Sequence, residues 1–399
     1  MRRGAWHQFG DRSQRLALEQ LQLGVGAGVI ISVRDLSWDN ALAYAHHYRD
    51  AGAHVLIDQQ FYNPGFTNQK ILSYPMSQYR ESVSQMTQIS DVNLIGIANE
   101  LRNYHTQLQA NGLIAPAVMY EAGRTDIADL NRQLYEASKT IGDELGIPTY
   151  ATVMLGRSVT GSNLTINQIL SETTSFDCDG WYFGFEFGDE RIPSSVDSIQ
   201  RCGEAILLLA STGKPVLHAY AGPLSLLSFG FGAIGAAVGH SQNLWQFTRG
   251  RFEPAQPGGG SGDAPPRFFS RSLWGTIIYP DETAQLPPNL RDEVLTQSPF
   301  SEETIWNTDW SRWDANKHLI NIICSTITQI ANSSTNAREN AESALQILDN
   351  AVALHQQISD VGIILRDRTN AYQANWRAAV EALLINKATD YDFLELLLY

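Results

Sequence analysis

The chain has 399 residues, 43% hydrophobic and 18% charged, with a formal net charge of −14. This balance excludes disordered and collagen-like chains, and the lack of any lysine-rich or arginine-rich run excludes non-specific gripping of phosphate backbones. Three scattered cysteines, Cys178, Cys202 and Cys324, form no Cys-x-x-Cys pair, so neither a disulfide framework nor a cysteine zinc site is indicated.

The N-terminal MRRGAWHQFGDRSQ carries two arginines but no apolar h-region, and no stretch approaches the roughly 20 uninterrupted apolar residues of a membrane span. A soluble chain in the reducing cytoplasm, without membrane contact, is the expectation. The length suits two average domains or one large α/β barrel with an appendage.

In chain order, short apolar runs rich in β-branched residues alternate with segments of helical period. The runs are GVIISV (28–33), AHVLID (53–58), IAPAVMY (114–120), TYATVML (149–155), GWYFGFEF (180–187), PVLHAY (215–220), AIGAAVG (233–239) and WGTIIY (274–279). Such alternation predicts βα units and a parallel sheet, and the count of eight favours a closed (β/α)8 barrel over an open doubly wound sheet. Between the runs, DNALAYAHHYRDAG closes on a glycine, while DELGIP and TGKP end helices in Gly-x-Pro stops before the next strand. Residues 254–267, PAQPGGGSGDAPPR, have the composition of a flexible insertion. The barrel is assigned to residues 1–300. Residues 301–399 turn wholly helical and form a C-terminal region of three or four helices, whose apolar LELLLY end suits docking on the barrel, a homo-oligomer or a protein partner.

In a barrel of this type chemistry sits at the carboxyl ends of the strands. The polar residues there are Arg34, Asp35, Asp58, Gln59, Gln60, Tyr120, Glu121, Arg157, Glu186, Asp189, Glu190, His218, Tyr220, His240 and Gln242. Asp58 is either a functional carboxylate or a structural one that caps the next helix or pairs with Arg34. Gln59 and Gln60 can present donors and acceptors to a heterocycle, and Phe61 and Tyr62 can stack on one. Gly184, inside an aromatic run, allows close approach of a ligand or backbone. Glu186 is an acid if it points inward and a surface charge if it does not. Paired with Asp58 it would suit glycoside hydrolysis. His218 and His240 are metal ligands or satisfied core histidines; no HExxH or HxH spacing marks a metal site, and no cofactor is called for. The stretch SFGFGAIGAAVG fails the phosphate-loop pattern and reads as tight packing.

Three of these segments together resemble the tRNA-guanine transglycosylase superfamily, including relatives that insert 7-deazaguanine bases into DNA. ISVRDLSWDNALAYAHHYRDAGAHVLIDQQFY has the family's strand, turn, helix and Asp-ended strand, with Asp58 and Phe61 matching and Gln59 and Gln60 replacing a Ser-Gly pair. WYFGFEFGDE is similar to the family's glycine-rich strand with its Gly-Glu, and GKPVLHAYAGP to its Lys-Pro strand and Gly-x-Pro turn. The resemblance covers about Gly28 to Trp245. It implies a barrel transferase that binds a guanine or 7-deazaguanine-type base, with Asp58 as general acid or base and Gln59, Gln60 and Arg157 as base readers. Phe61, Tyr120, Gly184 and His218 complete the expected substrate pocket. The family's nucleophilic aspartate has no match in GAIGAAVGHSQNLWQF, which leaves Glu186 and His240 as candidates for that role, and the family's zinc site is absent. The implied partner is a purine-like or deazapurine base, in DNA or tRNA reached by a local contact or a partner protein. A catalytically silent ligand-binding or assembly module is the competing expectation.

Overall fold

Strict period-2 alternation sorts each strand's side chains between an inner and an outer face, both covered, as in a parallel sheet wrapped by helices. The computed structural model describes residues 1–10, 12–85, 89–188, 190, 192–254, 265–295, 298–301, 310–366 and 370–397. Its main sheet contains β1 (Gly4–Gln8), β2 (Gly28–Ser32), β3 (His54–Asp58), β4 (Leu113–Ile114), β5 (Thr149–Leu155), β6 (Gly180–Phe185), β7 (Val216–His218) and β8 (Gly235–Val238). All ladder pairs are parallel, in the order β3-β2-β1-β8-β7-β6-β5-β4. The ring is nearly closed. At the seam between β3 and β4, Asn111 stands in for a ladder: its N–H donates to Val55 O at 3.0 Å, and its Oδ1 accepts from Val55 N–H at 2.8 Å.

The eight-stranded barrel with a helical C-terminal region is as expected, but the strand roster differs. The first strand is Gly4–Gln8, which the sequence reading passed over because His7 and Gln8 break its apolar run. Gly275–Ile278, counted as a barrel strand, is instead β10, which pairs antiparallel with β9 (Arg267–Ser270) outside the ring. A short β-branched run looks the same in both settings.

Inside the ring, Trp6, Ile30, Leu56, Ile114, Tyr150, Met154, Tyr182, Leu217 and Ala237 form one buried cluster. Its large rings need facing positions without side chains. A Cβ on Gly28 would lie 2.6 Å from the Trp6 ring and 2.5 Å from His54 O, and one on Gly180 would lie 2.9 Å from the Tyr150 ring. Truncating such a ring costs about 3–5 kcal/mol, so these glycines sustain a large share of the interior packing.

Helices Ser13–Gln22, Trp38–Asp50, Asp91–Leu108, Asp126–Leu145, Asn163–Thr173 and Val196–Ala210 cover the outer face. The Gly-x-Pro stop reads as expected at Gly146, a left-handed cap with φ 66°. Helix Arg312–Ser333 lies along β1, with Thr328 Oγ1 accepting from Ala5 N–H at 3.4 Å and Asn321 Nδ2 donating to Gln20 Oε1 at 3.0 Å. The stretch set apart as a C-terminal region therefore begins with a helix of the barrel's own outer ring. Helices Ala337–Asp360, Asn370–Asn386 and Ala388–Leu397 follow, and Trp376 anchors the second of them by donating from Nε1 to Pro193 O at 2.6 Å. Residues 255–264 of the expected insertion lie outside the described residues. No helix among the described residues is long and apolar enough to cross a membrane.

Candidate active site

The chain leaves β3 through a turn that folds back on its own carboxylate. Gln60 adopts a left-handed conformation (φ 52°), and its N–H donates to Asp58 Oδ1 at 3.0 Å, the local pairing that aspartate offers a turn. The buried Arg80 guanidinium fixes the outside of the turn by donating to Gln59 O (3.0 Å) and Gln60 O (2.6 Å) while lying 4.6 Å from the Phe61 ring centroid. Phe61 thus packs on the outer side, and Tyr62 enters the ring interior.

Asp58 is 1% exposed and projects into the mouth of the barrel. Tyr62 donates its hydroxyl to Oδ1 at 2.7 Å, and Tyr182 and Tyr220 donate theirs to Oδ2 at 3.1 and 3.2 Å. With Gln60 N–H these are four neutral donors, enough to fill a carboxylate's acceptor sites. Among the described residues no cation forms an ion pair with it. Burial outweighs the hydrogen bonds and pushes the carboxyl up to about 6, from an ordinary 3.8.

The amide of Gln60 links this centre to a second one. Gln60 Nε2 donates to Tyr220 Oη at 2.8 Å, and Oε1 accepts from Ser32 Oγ (2.9 Å) and Arg34 N–H (3.0 Å). Tyr220, like Gln60, has a positive φ (53°). Two left-handed non-glycine residues, bonded to each other and to one carboxylate, hold strain of the kind that clusters at functional sites. The single Ser32 hydroxyl hydrogen is shared between Gln60 Oε1 and Asp35 Oδ2, the latter 2.6 Å away, and Asp35 pairs with Arg34 at 2.8 Å and with the buried Arg251. Arg251 in turn lies 5.8 Å from the Tyr220 ring centroid.

A segment after β8 roofs the cluster. Phe247 and Phe252 meet Tyr62 edge-on at 5.3 and 5.1 Å, and Asn63 Nδ2 donates to Phe252 O at 2.9 Å. Glu186 ties this roof to the rim: Oε1 accepts from Arg249 N–H at 2.7 Å and Oε2 from Arg157 N–H at 2.8 Å. Arg249 also pairs with Glu121.

Of the residues proposed from sequence, the structure joins Asp58 and Gln60 directly. Gln59 is buried beside them; its backbone carbonyl holds Arg80, and its Nε2 has no hydrogen-bond partner among the described residues. Arg157 is exposed at the rim and meets Glu186 through its backbone. His240 follows β8 at the rim, with Nδ1 2.7 Å from Ser13 Oγ. Four assignments are corrected. Phe61 lies under Arg80 and does not face the mouth, because residue 58 takes the inward phase and the turn sends 61 out. Tyr120 lies in the outer core, with its hydroxyl 3.4 Å from Thr173 Oγ1, and lines a separate cavity with Arg132, Glu172 and Phe176. His218, one residue out of phase with inward Leu217, faces the helices: Nδ1 is 2.8 Å from Ser228 Oγ, and burial lowers the imidazole to about 3. The space over Gly184 is filled by the Met154 sulfur and Phe247.

Sequence reading offers Tyr62 as a stacking ring but not as a donor to Asp58, misses Gln8, Tyr182 and Arg80 as members of the cluster, and does not select Tyr220 from the strand-end residues. Gln8 ends β1, whose polar residues hide it as a strand, and Tyr182 sits mid-strand in β6, below the strand ends. Among the described residues no group of three or more His, Cys, Asp or Glu is arranged to hold a metal ion. No known protein-family model matches the chain, and no curated protein matches it significantly.

Proposed function

We infer that the barrel binds a guanine or 7-deazaguanine-type base at its strand ends and exchanges it in a nucleic acid, with Asp58 as general acid–base. The observation that carries this reading is the state of Asp58: buried, at the mouth, held by neutral donors alone and poised near neutrality. Such a group can give a proton to a departing base and take one from an incoming base at physiological pH. Tyr62, Phe247 and Phe252 offer aromatic surface to a planar ring, and the buried amides of Gln8 and Gln59 each keep an Nε2 that no described residue partners, suited to a carbonyl on a base edge. Access requires the Phe247–Phe252 segment to swing away from Tyr62. The chain's acidic balance fits a local nucleic-acid contact better than a broad electrostatic one.

The test is transfer of labelled guanine or 7-deazaguanine to DNA or tRNA. Asp58→Asn is expected to abolish transfer, and full activity in that variant would remove Asp58 from the chemistry. The second reading, a ligand-binding module without turnover, draws on the two backbone N–H groups that occupy the Glu186 oxygens and on the arginines that occupy Asp35. It predicts binding of the free base by calorimetry with no transfer by the wild-type protein.

A further inference from the structure

The hydroxyl of Tyr182 has one hydrogen and two acceptors. Asp58 Oδ2 is 3.1 Å away and Gln8 Oε1 is 3.2 Å away. Gln8 is 1% exposed, and among the described residues its Nε2 has no partner and the amide's one hydrogen bond is to this tyrosine. The other hydroxyls at the carboxylate have no such choice: Tyr62 donates to Oδ1 alone, and Tyr220 donates to Oδ2 while accepting from Gln60 Nε2.

The geometry points to Gln8 as a positioning residue that sets the proton on Asp58 through Tyr182. When Asp58 is ionised, Tyr182 gives its hydrogen to Oδ2. When Asp58 takes up a proton, Oδ2–H donates to Tyr182 Oη, and the Tyr182 hydrogen turns to Gln8 Oε1. The neutral state then pairs every hydrogen along the chain, whereas ionisation withdraws the Tyr182 hydrogen from Gln8 Oε1, and the proton enters and leaves with one hydroxyl rotation. Without Gln8 the neutral state would leave a tyrosine hydrogen buried and unpaired, which disfavours protonation. The remaining titratable and charged groups around Asp58 keep fixed partners. Arg80 behind the turn is bonded to carbonyls, while Asp35 and Arg251, which face Tyr220, are paired with each other.

This inference deepens the acid–base reading of Asp58 but is tested without substrate. The probe is the carbonyl stretch of a protonated carboxyl, followed by infrared difference spectroscopy across a pH titration and assigned to Asp58 by its loss in Asp58→Asn. Gln8→Met is expected to lower the Asp58 midpoint by roughly half to one pH unit, the worth of one neutral hydrogen bond. Tyr182→Phe removes a donor to the anion and is expected to raise the midpoint, and adding Gln8→Met to it should change nothing more. An unchanged or raised midpoint in Gln8→Met, or an effect that persists without the Tyr182 hydroxyl, overturns the proposal. If Gln8→Met does not fold, Gln8→Leu replaces it, and an unmoved midpoint in Tyr182→Phe overturns the proposal in either case. Loss of base transfer is a separate measurement, so failure of the enzymatic reading is distinguishable.

Discussion

Asp58→Asn is expected to make the fold more stable at neutral pH while removing activity. The carboxyl is displaced by burial from 3.8 to about 6, which corresponds to about 3 kcal/mol at 1.36 kcal/mol per pH unit. The sign follows from which state holds the proton more tightly. The folded state does, so below about pH 4 both states are protonated and the penalty vanishes; it grows between about 4 and 6 and is fully present above. Asparagine is neutral and escapes the penalty, but it loses part of the hydrogen bonding. Its Oδ1 still accepts from Gln60 N–H and Tyr62, whereas Nδ2 meets two tyrosine hydroxyls that must turn away, an opposing cost of about 1–1.5 kcal/mol. Tyr182 can turn to Gln8; Tyr220 has no comparable alternative. The net gain is about 1–2 kcal/mol near pH 8 and turns into a small loss near pH 4. Urea unfolding of both proteins at the two pH values measures it. A difference that does not depend on pH would show that Asp58 carries no raised affinity for its proton, and the acid–base reading would lose its physical basis.

Three further outcomes follow from the packing. Asn111→Ala strips Val55 N–H of its acceptor at the seam between β3 and β4, at a cost of about 1–3 kcal/mol; hydrogen exchange at the Val55 amide should quicken, and unchanged protection would mean that the seam is held by other contacts. Arg251→Met leaves Asp35 with Arg34 as its remaining cation. It should cost about 1.5–3 kcal/mol, partly restored by adding Asp35→Asn, because the expense lies in a buried carboxylate that has lost one of its two cations; a double variant no better than the single one refutes this. Gly28→Ala drives a methyl against the Trp6 ring and the backbone oxygen of His54, so denaturation should show a loss of at least about 1–3 kcal/mol with altered Trp6 fluorescence, whereas a neutral result contradicts the interior packing.

The ring was legible because seven of its strands are apolar on both faces, and the periodic helices between them end where glycine and proline require. β1 was not, since inward Gln8 and outward His7 belong to different environments that a one-dimensional reading merges into a polar interruption. Asp58 could be picked out as a carboxylate at a strand end. Its tyrosines could not, because Tyr182 and Tyr220 lie 124 and 162 residues away and only the closure of the ring brings them to it. Phase errors account for the rest: placing His218 and Phe61 at the mouth assigned the inward phase to residues that alternate outward. Once Leu217 and Asp58 are known to point inward, both follow from period 2.

These placements bear on what chemistry a single poised carboxylate can support. Base exchange through a covalent sugar intermediate needs a nucleophile besides the acid–base group. Glu186 is the nearest in kind, but its two oxygens accept from Arg249 and Arg157 backbone N–H groups, and release of either would loosen the roof over Tyr62. That linkage makes Glu186 a latch between rim and roof in the closed arrangement. If roof opening admits a substrate, the same movement withdraws the Arg249 N–H and exposes a Glu186 oxygen. Glu186→Gln separates the two roles: a latch retains turnover with altered substrate affinity, since the amide oxygen still accepts from one N–H, whereas a nucleophile loses turnover altogether. Retained transfer in Glu186→Gln would therefore assign the displacement to a group other than Glu186 and leave Asp58 to act with an incoming nucleophile directly.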